Sequence, residues 1–201
     1  MKVINMVKNY NEILYNNQRI ETSRMVLRKF TPDDAVDMLE YASDAKAIKY
    51  QGWDGCSTLE EAKLEIVNNY WAKSHANFWA VELKDTGKMI GSFDLQIFYT
   101  QDRAGFGVML NRKYWGKGYG TEGLAVLMKL CFEKLNVNRM SAGHFAGNEA
   151  SGRVMEKCGM KLEGITADGA IIKGAFLDVF IYGITRKMYY EIRGAMNDKK
   201  L

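Results

Sequence analysis

Four of the chain's 19 glycines fall within nine residues, in Trp115-Gly116-Lys117-Gly118-Tyr119-Gly120-Thr121-Glu122-Gly123. Leu124, Leu127, Met128, Cys131 and Leu135 then recur at helical spacing, so the glycines lead into an amphipathic helix. The first amides of a helix have no partner within it, and glycines let a ligand approach the backbone unobstructed. The chemistry this suggests is anion binding by main-chain amides, with a phosphate as the natural anion; a turn serving only close packing is the plainer alternative. Downstream, Asn148 and Ser151 open a second helical stretch. As structure they are an N-cap and an ordinary first-turn residue; as chemistry they are an amide and a hydroxyl beside a ligand. The carboxylates Glu82, Asp94 and Asp178 fall on stretches that read as strands, where each is a solvated acid or a proton acceptor. Cys56, Cys131 and Cys158 read as small buried residues, and His75 and His144 stand far apart, so no metal site is expected.

The segment Gly118-Tyr119-Gly120-Thr121-Glu122-Gly123 satisfies the spacing G-x-G-x-x-G, which in dinucleotide-binding sheets follows a strand at once and precedes an acidic strand end. Here Asn111 to Trp115 intervene, the next strand closes on His144-Phe145, and too little chain remains for such a sheet. A P-loop fails as well, because Lys117 is followed by Gly118 and not by a hydroxyl residue.

The elements that must position these groups follow from local signals. Arg24 to Phe30 alternates as a strand, and Thr31-Pro32-Asp33-Asp34 starts a helix running to about Ser43. A second helix follows Ser57 or Thr58 and ends near Trp71. Three strands joined by turns come next: Phe78 to Leu83, Lys88 to Tyr99 and Arg103 to Leu110, the first turn being Lys84-Asp85-Thr86-Gly87. After the glycines come a helix (Thr121 to Leu135), a strand (Arg139 to Phe145), a helix (Glu149 to Cys158) and two strands, near Lys161 to Thr166 and Ala175 to Thr185. An antiparallel meander followed by a β-α-β unit predicts a mixed α/β (α+β) layer and not a doubly wound parallel sheet. With 201 residues, 47% hydrophobic and 26% charged, the expectation is one domain over 23–190, an N-terminal extension (1–22) and a C-terminal tail (191–201). No apolar run reaches the length of a membrane span and no signal peptide is evident, which gives the cytoplasm as the expected location. The net charge of +4 is scattered, so neither nucleic acid nor membrane is an expected partner.

The run from Gly105 to Gly123 together with Asn148 to Gly164 resembles the GNAT acetyltransferases, and the opening Glu21-Thr22-Ser23-Arg24-Met25-Val26-Leu27-Arg28 resembles their Rim-type branch, which acts on ribosomal-protein N-termini. The similarity covers roughly residues 21–186. It implies the GNAT acyl-CoA N-acyltransferase fold, a mostly antiparallel sheet splayed at the cofactor cleft with helices on both faces. It also implies acetyl-CoA as co-substrate, no metal, and an amine acceptor: a protein N-terminus or a small amine. By that resemblance, backbone amides of Trp115, Gly116, Lys117, Gly118, Tyr119, Gly120 and Thr121 hold the pyrophosphate, with the Lys117 side chain assisting. The strand at Val108, Met109 and Leu110 pairs with the pantetheine arm. Asn148 bonds that arm, and Ser151 is the general acid for the leaving thiolate. One departure is plain: the position where many relatives carry a basic glutamate is Gly105 here. The proton acceptor then falls to Asp94, Asp178 or Glu82, or to ordered water. Substrate determinants are expected in Tyr50 to Gly55, with Trp53 as an aromatic wall and Asp54 as an acid. A homodimer also fits the family. From another class, a non-catalytic acyl-CoA-binding module would keep the cradle and lack turnover.

Overall fold

Along Phe78–Leu83 the side chains alternate between two destinations: Trp79 and Val81 enter one hydrophobic core and Ala80 enters another. This strand therefore lies in a sheet covered on both faces. The computed structural model describes residues 10–71 and 77–198. The elements run α1 (10–16), β1 (Ile20–Glu21), β2 (Met25–Arg28), α2 (Ala35–Ala42), α3 (Leu59–Glu65), β3 (Phe78–Leu83), β4 (Met89–Phe98), β5 (Arg103–Leu110), α4 (Tyr119–Lys129), β6 (Arg139–Phe145), α5 (Glu149–Lys157), β7 (Lys161–Ile172), β8 (Ala175–Thr185) and α6 (Arg186–Asp198). Helices α3 and α4 continue through Ile66–Trp71 and Leu130–Lys134 in wider π-type turns.

The eight strands form one sheet in the order β1-β2-β3-β4-β5-β6-β8-β7. Every neighbouring pair is antiparallel except β5 and β6, which run parallel and pair only at Arg103–Arg139 and Ala104–Met140. Beyond those two rungs the strands part, β5 running on to Leu110 and β6 to Phe145. On one face α1, α4, α5 and α6 contribute Leu14, Leu124, Leu127, Met155 and Tyr189 to the larger core; on the other, α2 and α3 bury Met38, Tyr41, Ala62 and Ile66 against Ala80, Met89 and Met109. The mixed α/β sheet is what the antiparallel meander and the β-α-β rhythm predict, and helices on both faces are what the family resemblance implies.

The helix starts follow their local chemistry. Glu61 N–H donates to Thr58 Oγ1 at 3.2 Å, and Ser57 N–H donates to Glu61 at 2.7 Å, so Thr58 caps α3. Pro32 opens a single 3₁₀ turn, Pro32–Asp34, before α2. Buried Asp34 accepts from Thr31 N–H at 2.8 Å and takes both ends of the Arg28 guanidinium, at 2.7 and 2.8 Å. The same Arg28 donates to Glu82 of β3 at 2.5 Å, which binds β2, β3 and the entry to α2 into one unit.

Residues on either side of the expected domain limits take part in the fold. Tyr10 and Leu14 are buried in the larger core, Tyr10 donates to Asp102 at 2.8 Å, and Trp79 Nε1 donates to the Asn17 carbonyl at 3.0 Å. At the other end α6 runs unbroken through residue 190, and Arg193 pairs with Glu133 at 2.6 Å. Strand β7 is longer than the sequence suggests. Ala167-Asp168-Gly169 forms a bulge, with Asp168 at φ 47°, and the chain turns only at Lys173-Gly174, where φ is 49° and 81°. His75 and the Trp71 side chain lie outside the described residues, whereas Trp79 is fully buried. Among the described residues no helix is long and apolar enough to cross a membrane.

Replacing Asp34 with alanine removes both carboxylate bonds of a mostly buried guanidinium and the acceptor of the Thr31 amide. The expected cost is about 2–3 kcal/mol of unfolding free energy, read from the shift in urea midpoint at constant slope. An unchanged midpoint would show that Glu82 alone holds Arg28.

Candidate active site

The four clustered glycines divide into two pairs. Gly116 and Gly118 adopt φ of 72° and 85°, left-handed conformations that strain any residue with a Cβ. They bend the chain so that successive amides of the turn and of the α4 N-terminus become available to one anion. Gly120 and Gly123 instead seat the helix: a Cβ on Gly120 would meet Val154 of α5 at 3.4 Å, and one on Gly123 would lie 2.3 Å from the Phe93 ring of β4.

The loop is held from outside by Arg24, immediately before β2. Its guanidinium donates to the Lys117 carbonyl at 2.9 Å and to Glu122 at 2.7 Å, and it lies over the Tyr119 ring at 4.3 Å. Glu122 also accepts from Ser23 Oγ at 2.8 Å and from Arg24 N–H at 3.0 Å. Burial opposes the Glu122 charge, but bonds from Thr22, the Arg24 amide, Ser23 and the Arg24 side chain outweigh it and bring the pKa down to about 2. Arg24 lies within the motif that carries the family resemblance, yet its tie to the loop crosses 93 positions of chain, which no local pattern announces.

Between the loop, α5 and the open edge of β5 lies a cleft of about 410 Å³. Asn111 N–H donates to Ile90 of β4, so by alternation the peptide groups of Val108 and Leu110 turn toward the side that β6 has left. Trp115 Nε1 takes the Leu110 carbonyl at 2.7 Å and pins the loop to the strand end. Val108, Met109, Leu110, Trp115, Gly116, Gly118, Tyr119, Gly120, Thr121, Asn148 and Ser151 all line this cleft. Lys117 does not: its ammonium sits over the Tyr114 ring at 5.2 Å, and its carbonyl serves Arg24. The cations at the cleft are instead Lys46, Arg153 and Lys157, and among the described residues no carboxylate lines it. Arg153 and Lys157 stand one turn apart on α5, inside the second motif but masked there by the ordinary look of a charged helix face. Although Asn148 occupies the N-cap position of α5, its side chain makes no cap bond.

A second cavity of about 190 Å³ continues from the first, sharing Tyr50, Gln51, Val108, Asn148, Ser151 and Val154 and adding Phe106, Gly107, Gly143, His144 and Phe145. Tyr50 reaches across to the β6–α5 turn, where a Cβ on Gly147 would lie 2.4 Å from its hydroxyl. Buried His144 stacks on Phe180 at 4.9 Å, with its Nδ1 3.0 Å from the Phe145 carbonyl. Asp94 of β4 does not line this cavity itself but touches Gly107, which does. It is the cross-strand partner of Gly107, and its carboxylate lies over that glycine, so that a Cβ there would meet Oδ2 at 2.2 Å. Burial raises the Asp94 pKa, against weaker opposing bonds from Gln96 and the Gly107 amide.

The other expected acids are placed elsewhere. Glu82 is bound to Arg28, and Asp178 accepts from the Asp168 amide at 3.0 Å in the β7 bulge, outside the lining of both cavities. Trp53 packs on the smaller core, while Asp54 is almost fully exposed, with Lys173 at 4.0 Å.

The sequence profile of the acetyltransferase (GNAT) domain matches residues 24–161. The chain belongs to the GNAT acetyltransferase family. It is 27% identical over 175 residues to an uncharacterised N-acetyltransferase, p20, of Bacillus licheniformis, covering 86% of this chain and 98% of that one. A GNAT-family acetyltransferase structure from Bacillus anthracis superposes with a TM-score of 0.75 at 27% identity, over 84% of this chain and 99% of the other. The ribosomal-protein-S5-alanine acetyltransferase of Vibrio fischeri shares the fold, with a TM-score of 0.68 at 22% identity over 84% and 96% of the two chains.

GNAT enzymes take acetyl-CoA as co-substrate, and in this GNAT domain the donor set suits its diphosphate: unpartnered amides, three cations and no carboxylate. The thiols have the opposite of nucleophile chemistry. Burial pushes Cys131 far up and Cys158 up to about 11, and it raises Cys56 as well. Among the described residues no group of three potential metal ligands converges.

Because the folded Glu122 pKa is depressed, its stabilising effect is complete above the unfolded value, about 4.3, and is lost as pH falls through about 2. Glu122→Gln is therefore expected to melt below the parent at pH 7, with the gap closing between about pH 4.3 and 2. A pH-independent gap in thermal melts would overturn the assignment.

Proposed function

We propose that this GNAT domain transfers the acetyl group of acetyl-CoA directly to a primary amine at the junction of the two cavities. The observation that supports the proposal is the continuous opening from a cationic amide cradle to Gly107, over which lies the half-buried Asp94 carboxylate, without a cationic partner among the described residues, and Ser151 lines both parts. Acetyl-CoA supplies a thioester whose carbonyl carbon bonds to the amine as the carbon–sulfur bond breaks.

Each role follows from position. The amides of Gly116, Gly118, Tyr119, Gly120 and Thr121, with Arg153, Lys157 and Lys46, hold the phosphates. The open peptide groups of Val108, the Leu110 N–H and the free Asn148 amide align the pantetheine arm, and a β5 N–H donates to the thioester oxygen where negative charge develops. Asp94 takes the proton that an ammonium must lose before it can attack. Ser151 gives a proton to the departing thiolate. A raised pKa suits Asp94 to this work, since a proton acceptor is more basic when its charged form is poorly solvated. Kinship with ribosomal-protein acetyltransferases in the Rim-type branch supports a peptide amine as acceptor.

Calorimetry is expected to show acetyl-CoA binding, and amine-dependent thiol release is expected to follow in the same preparation. Asp94→Asn should lower kcat by about 10²–10⁴-fold and abolish the acidic limb of the kcat/KM profile, with acetyl-CoA affinity kept. Ser151→Ala should lower kcat by about 10²-fold without that change in the limb. Binding with no thiol release from any amine would identify a non-catalytic acyl-CoA-binding domain instead.

A further inference from the structure

The face of the sheet that carries Asp94 is covered by α2 and α3 only as far as β4 and the end of β5. Past them, three directly paired rungs of β4 and β5 lie in a row: Asp94–Gly107, Gln96–Gly105 and Phe98–Arg103. Direct partners in an antiparallel pair share a face, so Asp94 and Arg103 mark the two ends of one track. Four residues of strand separate the ends, about 13 Å. Gly107 leaves room for the Asp94 carboxylate at one end, while the Gln96 side chain and the Phe98 ring lie against Gly105 between the two ends.

Both ends lack an ionic partner among the described residues. Arg103 stacks on Phe98 at 4.4 Å, and its buried Nε has no hydrogen-bond acceptor. On the adjoining rung of β6 stands Arg139, whose guanidinium is taken by both oxygens of Glu163. Two arginines thus stand on adjoining rungs; Arg139 takes the carboxylate on its far side, and Arg103 is the one left over.

We infer that the acceptor is an extended peptide amino-terminus whose ammonium meets Asp94 and whose carboxylate, carried by the third or fourth residue, meets Arg103. An extended chain advances about 3.4 Å per residue, so three to four residues span the track, whereas an amino acid holds both charges on one carbon and cannot reach. This inference rests on the acetyl transfer proposed above and makes Arg103 a specificity-determining residue.

The test compares Ala-Ala-Ala-Glu-Ala-amide with Ala-Ala-Ala-Gln-Ala-amide as acceptors in a thiol-release assay of the full chain. With the wild type, kcat/KM is expected to be at least about tenfold higher for the glutamate peptide. Arg103→Gln should bring that ratio close to one, and Arg103→Glu should favour a lysine at the same peptide position. Equal rates for the two peptides in the wild type would overturn the inference without need of any variant. So would turnover confined to small amines such as putrescine, although acetyl transfer would then stand. Failure of acetyl-CoA to bind in calorimetry would instead bring down the transfer proposal, and this inference with it.

Discussion

Strands β5 and β6 pair at two rungs and then separate, and the rest of the site depends on that separation. A strand edge inside a folded domain carries N–H and C=O groups that must find partners. Here the freed groups of β5 at Val108 and Leu110 border a cleft instead of a neighbouring strand. The parting also joins the two faces of the sheet, because the smaller cavity lies between Gly107 of one strand and Gly143 of the other. A ligand entering beside α4 reaches that point through the joined cavities. The cleft thereby opens at the one parallel junction that the described strands make.

Keeping the strands apart requires the surrounding elements to be fixed independently of that junction. Arg24 ties the chain before β2 to the glycine loop through Glu122 and the Lys117 carbonyl, while Trp115 ties the same loop to the end of β5. On the opposite wall, Glu40 of α2 accepts from Asn111 at 3.1 Å and pairs with Lys88 at 3.0 Å and Lys113 at 3.2 Å. Asp44 pairs with Arg112 at 2.6 Å. These contacts anchor the segment that brings Lys46 and Tyr50 over the cleft. Exposed pairs of this kind contribute little stability singly, so their joint effect is on geometry: they hold the walls at a fixed distance.

Much of this was legible in the sequence because it is local. The Thr58 cap, the Lys84–Gly87 turn, the glycine loop and the amphipathic helix behind it each announce themselves within a few residues, and the cleft lining follows from two such motifs. What could not be read depends on contacts across the chain. Period-two alternation places Asp94, Glu82 and Asp178 on strands but does not say which partner waits on the same face: Arg28 for Glu82, a bulge amide for Asp178, a glycine for Asp94. The resemblance implies Lys117 as a side-chain helper for the pyrophosphate, whereas its ammonium lies over Tyr114. The length of β7 was missed for a different reason, since Asp168-Gly169 has turn chemistry and is used within a bulge.

Gly105 and Asp94 are best understood together. Partners on adjacent antiparallel strands lie about 5 Å apart and share a face, so a carboxylate reaching the parting from β4 can occupy space that an acid on β5 would otherwise fill. Such a transfer needs room on β5, and Gly107 supplies it, because a Cβ there would collide with the Asp94 carboxylate. Gly105, one rung along, is buried against the Phe98 ring and Gln96, and a Cβ on it would make an ordinary contact with the Ser141 carbonyl at 3.4 Å. In the transfer proposed above the proton acceptor sits one strand across the sheet from β5, and Gly107 leaves the room that its carboxylate occupies.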